Sequence, residues 1–161
     1  MVPLNQISQA IQSFCDTETF RRVIDPEDFD TPDAIGFAEG GCLMVACALQ
    51  DSLDVGTVCL VISTDLEEPD AFPVFHHAVV KLESEGETRY LDGFGLHTEA
   101  EFRAKWVLPD EQNNFQIDVE PLTPESLDLA VSNQGAYFHK GTVAVLTELC
   151  REGLKAEAAQ L

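Results

Sequence analysis

The chain has 161 residues, 45% of them hydrophobic, and its 29 acidic and 9 basic side chains give a formal net charge of −20. This length and apolar content fit one folded domain over residues 1–161 and exclude a disordered chain. A surface this negative repels nucleic-acid phosphates and anionic lipid, so we expect neither as a partner. The charge itself fits either solvation in a saline cytoplasm or an acidic face that imitates DNA.

The first part of the chain leads to a cysteine at the start of a helix. Apolar residues at helical spacing predict a helix over residues 3–24, and the acidic, proline-containing stretch 25–33 predicts a loop. Gly40 and Gly41 then come directly before Cys42, which opens a run of good helix formers. Because this run is almost entirely apolar, we expect its helix to be buried on nearly all sides.

The rest of the chain alternates predicted strands, turns and helices. A continuous β-branched and apolar run predicts a central strand, and strict alternation predicts a half-buried one. A capping box of Thr98 and Glu101 predicts the start of a short helix. The Cys42 helix spans 42–53; the later elements are strands over 57–62, the second half of 72–83, 88–92 and 114–120, a hairpin turn at 85–87, a glycine-rich loop at 93–97, and helices over 98–106, 127–131 and 142–158. Helices beside a sheet of this kind predict an α+β fold.

The five cysteines, at positions 15, 42, 47, 59 and 150, show no short paired spacing. We therefore expect reduced thiols in a cytoplasmic protein, with neither a disulfide framework nor a zinc site. No apolar run approaches the roughly 18–20 residues that cross a bilayer, and no secretory signal pattern is visible. Cys15, Cys47 and Cys59 are predicted to be core residues, which directs attention to Cys42.

Cys42 is a candidate nucleophile because of its place at a helix N-terminus. The partial positive charge and the unpaired N–H groups at that end of a helix favour a thiolate over a thiol. The same N–H groups could hold the oxyanion that forms when sulfur attacks a carbonyl. Residues 33–41 contain no glutamine that could donate from a side chain, so the backbone would have to serve. The alternative is a small buried residue at a helix start.

His77 and Asp92 are candidates for a base and its orienting acid. They lie on the two predicted strands of one hairpin, near its open end, where strands about 4.8 Å apart let a carboxylate reach an imidazole. An imidazole can take a thiol proton, and a carboxylate on its other nitrogen fixes its tautomer. The alternative for Asp92 is a turn-forming aspartate before glycine. We expect His76 on the opposite face of the strand. We expect His97 in the capping region of the next helix, with a place at the border of the cleft as the alternative.

The order of these motifs is similar to that of a known enzyme superfamily. Gly-Gly-Cys at 40–42, His-Ala-Val-Val at 77–80 and Tyr-Leu-Asp-Gly-Phe-Gly at 90–95 resemble the papain-like and transglutaminase-like cysteine enzymes, most closely their small bacterial and phage members. The resemblance covers residues 36–106. It implies a papain-like fold, in which a helical part with the nucleophile helix packs on a small antiparallel sheet.

In that superfamily the matching positions are the nucleophile, the general base and the orienting acid, which are Cys42, His77 and Asp92 in this sequence. The resemblance implies a hydrolase or acyltransferase that acts on a peptide, protein or small amide or ester through a thioester, with no cofactor. The neighbours of these three residues would line the substrate site: Gly40, Gly41, His76 and Gly93. Zinc is the alternative use of a thiolate, an imidazole and a carboxylate, but the spacings are not those of a metal site. The alternative function is an inactive acidic module of the same fold that binds a basic protein.

Overall fold

A computed structural model describes residues 18, 41–68, 70–84, 86–107, 114–134, 136 and 138–158, and every structural statement here concerns these residues. Glu18 is helical. The rest of the helix predicted over 3–24, the predicted loop 25–33, and Gly40 lie outside the described residues.

The described residues form a mixed structure of four helices and one five-stranded antiparallel sheet. The elements are α1 (Cys42–Leu53), β1 (Thr57–Asp65), β2 (Val74–Ser84), β3 (Glu87–Asp92), β4 (Gly95–Thr98), α2 (Glu99–Trp106), β5 (Phe115–Pro121), α3 (Pro124–Gln134) and α4 (Lys140–Ala158). The strand order in the sheet is β4-β3-β2-β1-β5. The predicted α+β class is therefore confirmed. No helix among the described residues is long and apolar enough to cross a membrane.

Hydrophobic side chains cover both faces of the sheet. On the first face α1 packs directly on the strands, and α4 packs against α1. The sheet residues of this layer alternate along the strands, and they are Val58, Leu60, Ala78, Val80, Leu82 and Leu91. The second face is formed by the residues between them, with α2 lying over it; the buried members are Cys59, Val61, Val79, Tyr90 and Phe102.

Most predicted elements are present, with two corrections. The helix over 42–53 is confirmed and is buried on nearly all sides, and the capping box of Thr98 and Glu101 starts α2 as expected. The predicted loop at 93–97 was wrong, because the chain turns over two residues and returns at once as β4, with Asp92 paired to Gly95. The helical turn predicted at 127–131 is part of the longer α3.

An irregularity in β2 changes where its two histidines point. Val61 of β1 pairs with His77, but the next residue, Ile62, pairs with Phe75, so His76 is the extra residue of a β-bulge. The His76 ring reaches Ser63, two residues beyond Val61 and on the same face. The expectation that His76 lies on the opposite face from His77 was wrong, because the bulge interrupts the alternation on which it rested.

Candidate active site

His77 and Asp92 form a buried pair on the α2 side of the sheet. The register of β2 and β3 pairs Val80 with Leu91, so one step further Asp92 lies opposite Val79 and diagonal to His77 on the same face. His77 Nε2 is 2.9 Å from Asp92 Oδ2, and both side chains are only 1% exposed. The contact expected between this imidazole and this carboxylate is present, and it occupies one of the two ring nitrogens.

The Asp92 carboxylate has three partners. Its Oδ2 atom faces His77, while its Oδ1 atom accepts from the backbone N–H of Phe94 at 2.8 Å and lies 3.0 Å from His97 Nε2. Burial opposes ionisation of Asp92, but the hydrogen bonds from His77 and His97 outweigh it and hold the pKa of Asp92 below its usual range. The carboxylate is therefore ionised at neutral pH and can support an imidazolium.

Trp106 fixes the plane of the His77 ring. The two rings stack with centroids 4.1 Å apart and an angle of 11° between their planes. Trp106 is the last residue of α2, whose start is fixed by the Thr98 capping box and whose middle is anchored by the fully buried Phe102. The indole N–H of Trp106 is buried, and no hydrogen-bond partner for it lies in the part of the chain that the structure describes. α2 thus delivers an aromatic surface that shields the His77 and Asp92 pair from water.

Cys42 lies beside the residue that follows His77. Its sulfur is buried in the α1 layer, and backbone N–H groups of Ala78, Leu43 and Cys42 itself point at it. These groups favour the thiolate, as expected from the helix N-terminus. Burial is nevertheless the larger effect and, together with the nearby Asp92 charge, raises the pKa of Cys42 to about 11. The helix start therefore acts in the expected direction, but the resting thiol is not ionised by it, because desolvation exceeds the effect of the backbone N–H groups.

The residues predicted to line a substrate site are distributed around this pair. Gly41 caps α1 and is buried, and Gly93 is buried in the turn after Asp92. His76 is exposed, lies 2.7 Å from Ser63 Oγ, and partial burial of its ring lowers its pKa. Gly41 and Gly93 thus lie next to Cys42 and Asp92 in the chain, whereas His76 faces Ser63 and makes no contact with Asp92.

The other described cysteines are free thiols with similar electrostatics. Burial raises the pKa of Cys47 and of Cys150 to about 11 and also raises that of Cys59. No group of three or more histidine, cysteine and acidic side chains in the described ranges is arranged to hold a metal ion. What distinguishes Cys42 from these cysteines is therefore the backbone N–H of Ala78, the residue after His77, and not its acidity. Among the described residues no hydrogen bond joins the Cys42 sulfur to the His77 ring, which lies on the α2 side of the sheet.

Two residues of the site were missed in the sequence. His97 was expected in a capping region, with the border of the cleft as the alternative, and its contact with Asp92 was not foreseen. Trp106 was treated only as the end of a helix. A signal existed for each. A two-residue turn after Asp92 would pair position 97 with position 90, on the face of Asp92, and Trp106 lies four residues after Phe102, on the same face of α2.

Comparisons of the chain with protein-family models, with curated proteins and with solved structures find no significant match. The resemblance to papain-like and transglutaminase-like enzymes stays a prediction. The function must therefore be inferred from the geometry of the site.

Proposed function

We propose that the chain is a cysteine-dependent hydrolase or acyltransferase of papain-like architecture, with Cys42 as nucleophile, His77 as general base and Asp92 as the orienting acid. The observation that carries the proposal is the buried hydrogen bond between His77 and Asp92, formed next to the backbone N–H that points at the Cys42 sulfur. The substrate is an amide or ester in a peptide, a protein or a small molecule, and the compartment is the cytoplasm.

Each group has a defined task in this reaction. Asp92 holds His77 Nε2, so Nδ1 is the ring nitrogen that takes the proton of Cys42. The sulfur attacks the carbonyl carbon, and the oxyanion is held by backbone N–H groups at the start of α1. His77 then gives the proton to the leaving amine or alcohol as the carbon–nitrogen or carbon–oxygen bond breaks. Water or an acceptor amine attacks the thioester and releases the thiol.

The raised pKa of Cys42 determines how the thiol is activated. With a pKa of about 11 the resting sulfur carries its proton at neutral pH. The proton must therefore move to His77 while the sulfur attacks, as in general-base catalysis, and not before the substrate binds. The Asp92 carboxylate, which opposes a thiolate at Cys42, stabilises the imidazolium that forms in this step.

Alkylation by iodoacetamide at neutral pH tests the proposal without a known substrate. Cys150 is a matched internal control, since it is 5% exposed against 4% for Cys42 and its pKa is also raised to about 11. We expect Cys42 to be alkylated roughly 100-fold faster than Cys150, because His77 acting as its general base would contribute about that factor. Peptide mapping by mass spectrometry measures both rates in one sample.

A His77→Gln variant separates the base from the helix start. It removes the proton acceptor and leaves α1 unchanged, so the Cys42 rate should fall to that of Cys150. Equal rates for the two cysteines in the unaltered protein would contradict the proposal, as would a His77→Gln variant that alkylates at the original rate.

An inactive binding module is the second candidate, and one observation favours it. The burial and the raised pKa of Cys42 are those of a structural thiol. In that case the net charge of −20 would attract a basic protein. Binding to polylysine that weakens with salt, together with slow alkylation of Cys42, would support this function over catalysis.

A further inference from the structure

The Asp92 carboxylate connects two imidazoles, only one of which has a role in the proposed reaction. Its Oδ2 atom is 2.9 Å from His77 Nε2 and its Oδ1 atom is 3.0 Å from His97 Nε2. The two histidines differ in their access to water, because His77 is 1% exposed and His97 is 17% exposed. A proton from solvent can therefore reach His97 directly while His77 is enclosed.

The fold explains why His97 is available to this carboxylate. The tight turn after Asp92 reverses the chain into β4, where His97 pairs with Tyr90 and shares its face of the sheet. Asp92 follows Tyr90 by two residues and lies on that same face, within reach of the His97 ring. β4 is an edge strand of the described sheet, and the His97 side chain on it is 17% exposed.

We propose that His97 is a positioning residue that fixes the Asp92 carboxylate for His77 and, by gaining or losing a proton, sets how strongly that carboxylate supports a positive charge on His77. A neutral His97 donates one hydrogen bond and leaves the full carboxylate charge to His77. A protonated His97 forms an ion pair with Asp92 and places a second cation near His77, which disfavours its protonation. The catalytic meaning of this control rests on the proposed function, but the coupling of the two rings does not.

Other charges near His97 act in opposite directions. Glu101 of α2 lies near both His97 and Arg89 of β3. Charge on His97 and on Arg89 favours the ionised form of Glu101. Glu101 is held first by its capping bonds to Thr98. Lys105 of α2 lies 3.5 Å from the ring centre of Phe94, which follows Asp92 by two residues. Asp92 is the charged group in direct contact with His97, so its coupling to His77 dominates.

Titration of the histidine ring protons by NMR tests the coupling in the absence of any activity. In the unaltered protein we expect the ring-proton shifts of His77 to respond to protonation of His97 as well as to protonation of His77 itself, because two interacting imidazoles share one carboxylate. A His97→Gln variant keeps a donor near the position of Nε2 but cannot become charged. In it His77 should titrate in one step. A His77 titration that is the same in both proteins would overturn the proposal.

A second pair of variants tests positioning separately from charge. His97→Leu removes the donor to Asp92 Oδ1, so the His77 Nε2–H signal should broaden or disappear, and His97→Gln should restore it. A signal unaffected by His97→Leu would overturn the positioning role. His139→Gln, at an exposed histidine before α4, should leave the signal and the titration unchanged.

Alkylation of Cys42 by iodoacetamide in the same variants links the result to the proposed function. If both proposals hold, His97→Leu slows alkylation about 10-fold and His97→Gln recovers most of the rate. If His77→Gln has no effect on alkylation while the NMR coupling is present, the enzymatic proposal fails and the coupling stands. If His77→Gln slows alkylation but His97→Gln leaves the titration of His77 unchanged, the inference about His97 fails and the enzymatic proposal stands.

Discussion

Asp92 is a buried carboxylate whose partners decide its charge. Alone in an apolar interior it would be neutral, because burial penalises the ionised form. Here His77, His97 and the Phe94 N–H surround both oxygens, and the pKa of Asp92 falls below its usual range. The same residue therefore serves the stability of the fold and the orientation of His77, and its pKa ties both to pH.

Replacing Asp92 by asparagine should show how the stability of the fold depends on acid pH through this carboxylate. A carboxylate with a lowered folded pKa stabilises the fold fully above its unfolded pKa of about 3.9, and that stabilisation is lost as pH falls toward the folded value. We expect Asp92→Asn to cost about 3 kcal/mol at neutral pH, because two imidazoles lose a charged partner. Below about pH 4 the cost should shrink. Urea unfolding between pH 3 and pH 7 measures it.

Asp118→Asn is the control for that variant, since Asp118 accepts from Gln116 at the surface of β5. It should change stability by less than about 0.5 kcal/mol at every pH. An Asp92→Asn variant whose stability falls with acid in parallel with the unaltered protein would show that the carboxylate is not held ionised by its partners.

At the scale of elements, the sequence predicted what local patterns determine. The apolar run of α1, the capping box of α2 and the hairpin turn between β2 and β3 are each encoded within a few residues. β4 was missed because four residues are too few to show alternation. The bulge at His76 was missed because it depends on the register with β1. The burial that raises the pKa of Cys42 comes from the packing of α1 in the fold, so the local sequence could not predict it.

A glycine at the junction of α1 with β1 allows the energetic cost of steric overlap to be separated from the cost of backbone strain. Gly56, at φ +83°, would place an added Cβ 2.7 Å from Leu82 Cδ2, Lys81 O and Val80 Cγ1, whereas Gly86, at φ +84°, has open space there. Gly86→Ala should cost about 1 kcal/mol from its left-handed backbone alone. Gly56→Ala should cost about 2 kcal/mol more, because its methyl group overlaps β2.

Urea unfolding of the two alanine variants under one condition measures the difference. Because the two φ angles differ by one degree, the strain that comes from a positive φ cancels and the remainder reports the overlap. Equal losses of stability would mean that β2 moves freely away from Gly56, and that α1 is not held in fixed register over Ala78.

At the scale of the whole molecule, the charge of −20 sets the background for the site. Self-repulsion on this scale opposes the compact state and attracts cations to the surface. A cationic group moderates this charge near the site, since Lys105 lies over the Phe94 ring. A basic substrate would approach such a surface faster than an acidic one, and added salt would reduce that preference.

Salt should therefore stabilise the fold. Raising KCl from about 0.01 M to about 0.1 M shortens the Debye length from about 30 Å to about 10 Å and screens the repulsion. We expect the urea midpoint to rise with an unchanged slope, which marks a change in stability and not in compactness.

Choline chloride should act equally, because screening depends on ionic strength. A Glu68→Gln, Asp70→Asn variant, changed at two exposed acids after β1, should be more stable at low salt and respond less to KCl. If the urea midpoint of both proteins does not change with salt, repulsion between the acidic side chains does not destabilise the fold. The net charge would then give no reason to expect a basic partner.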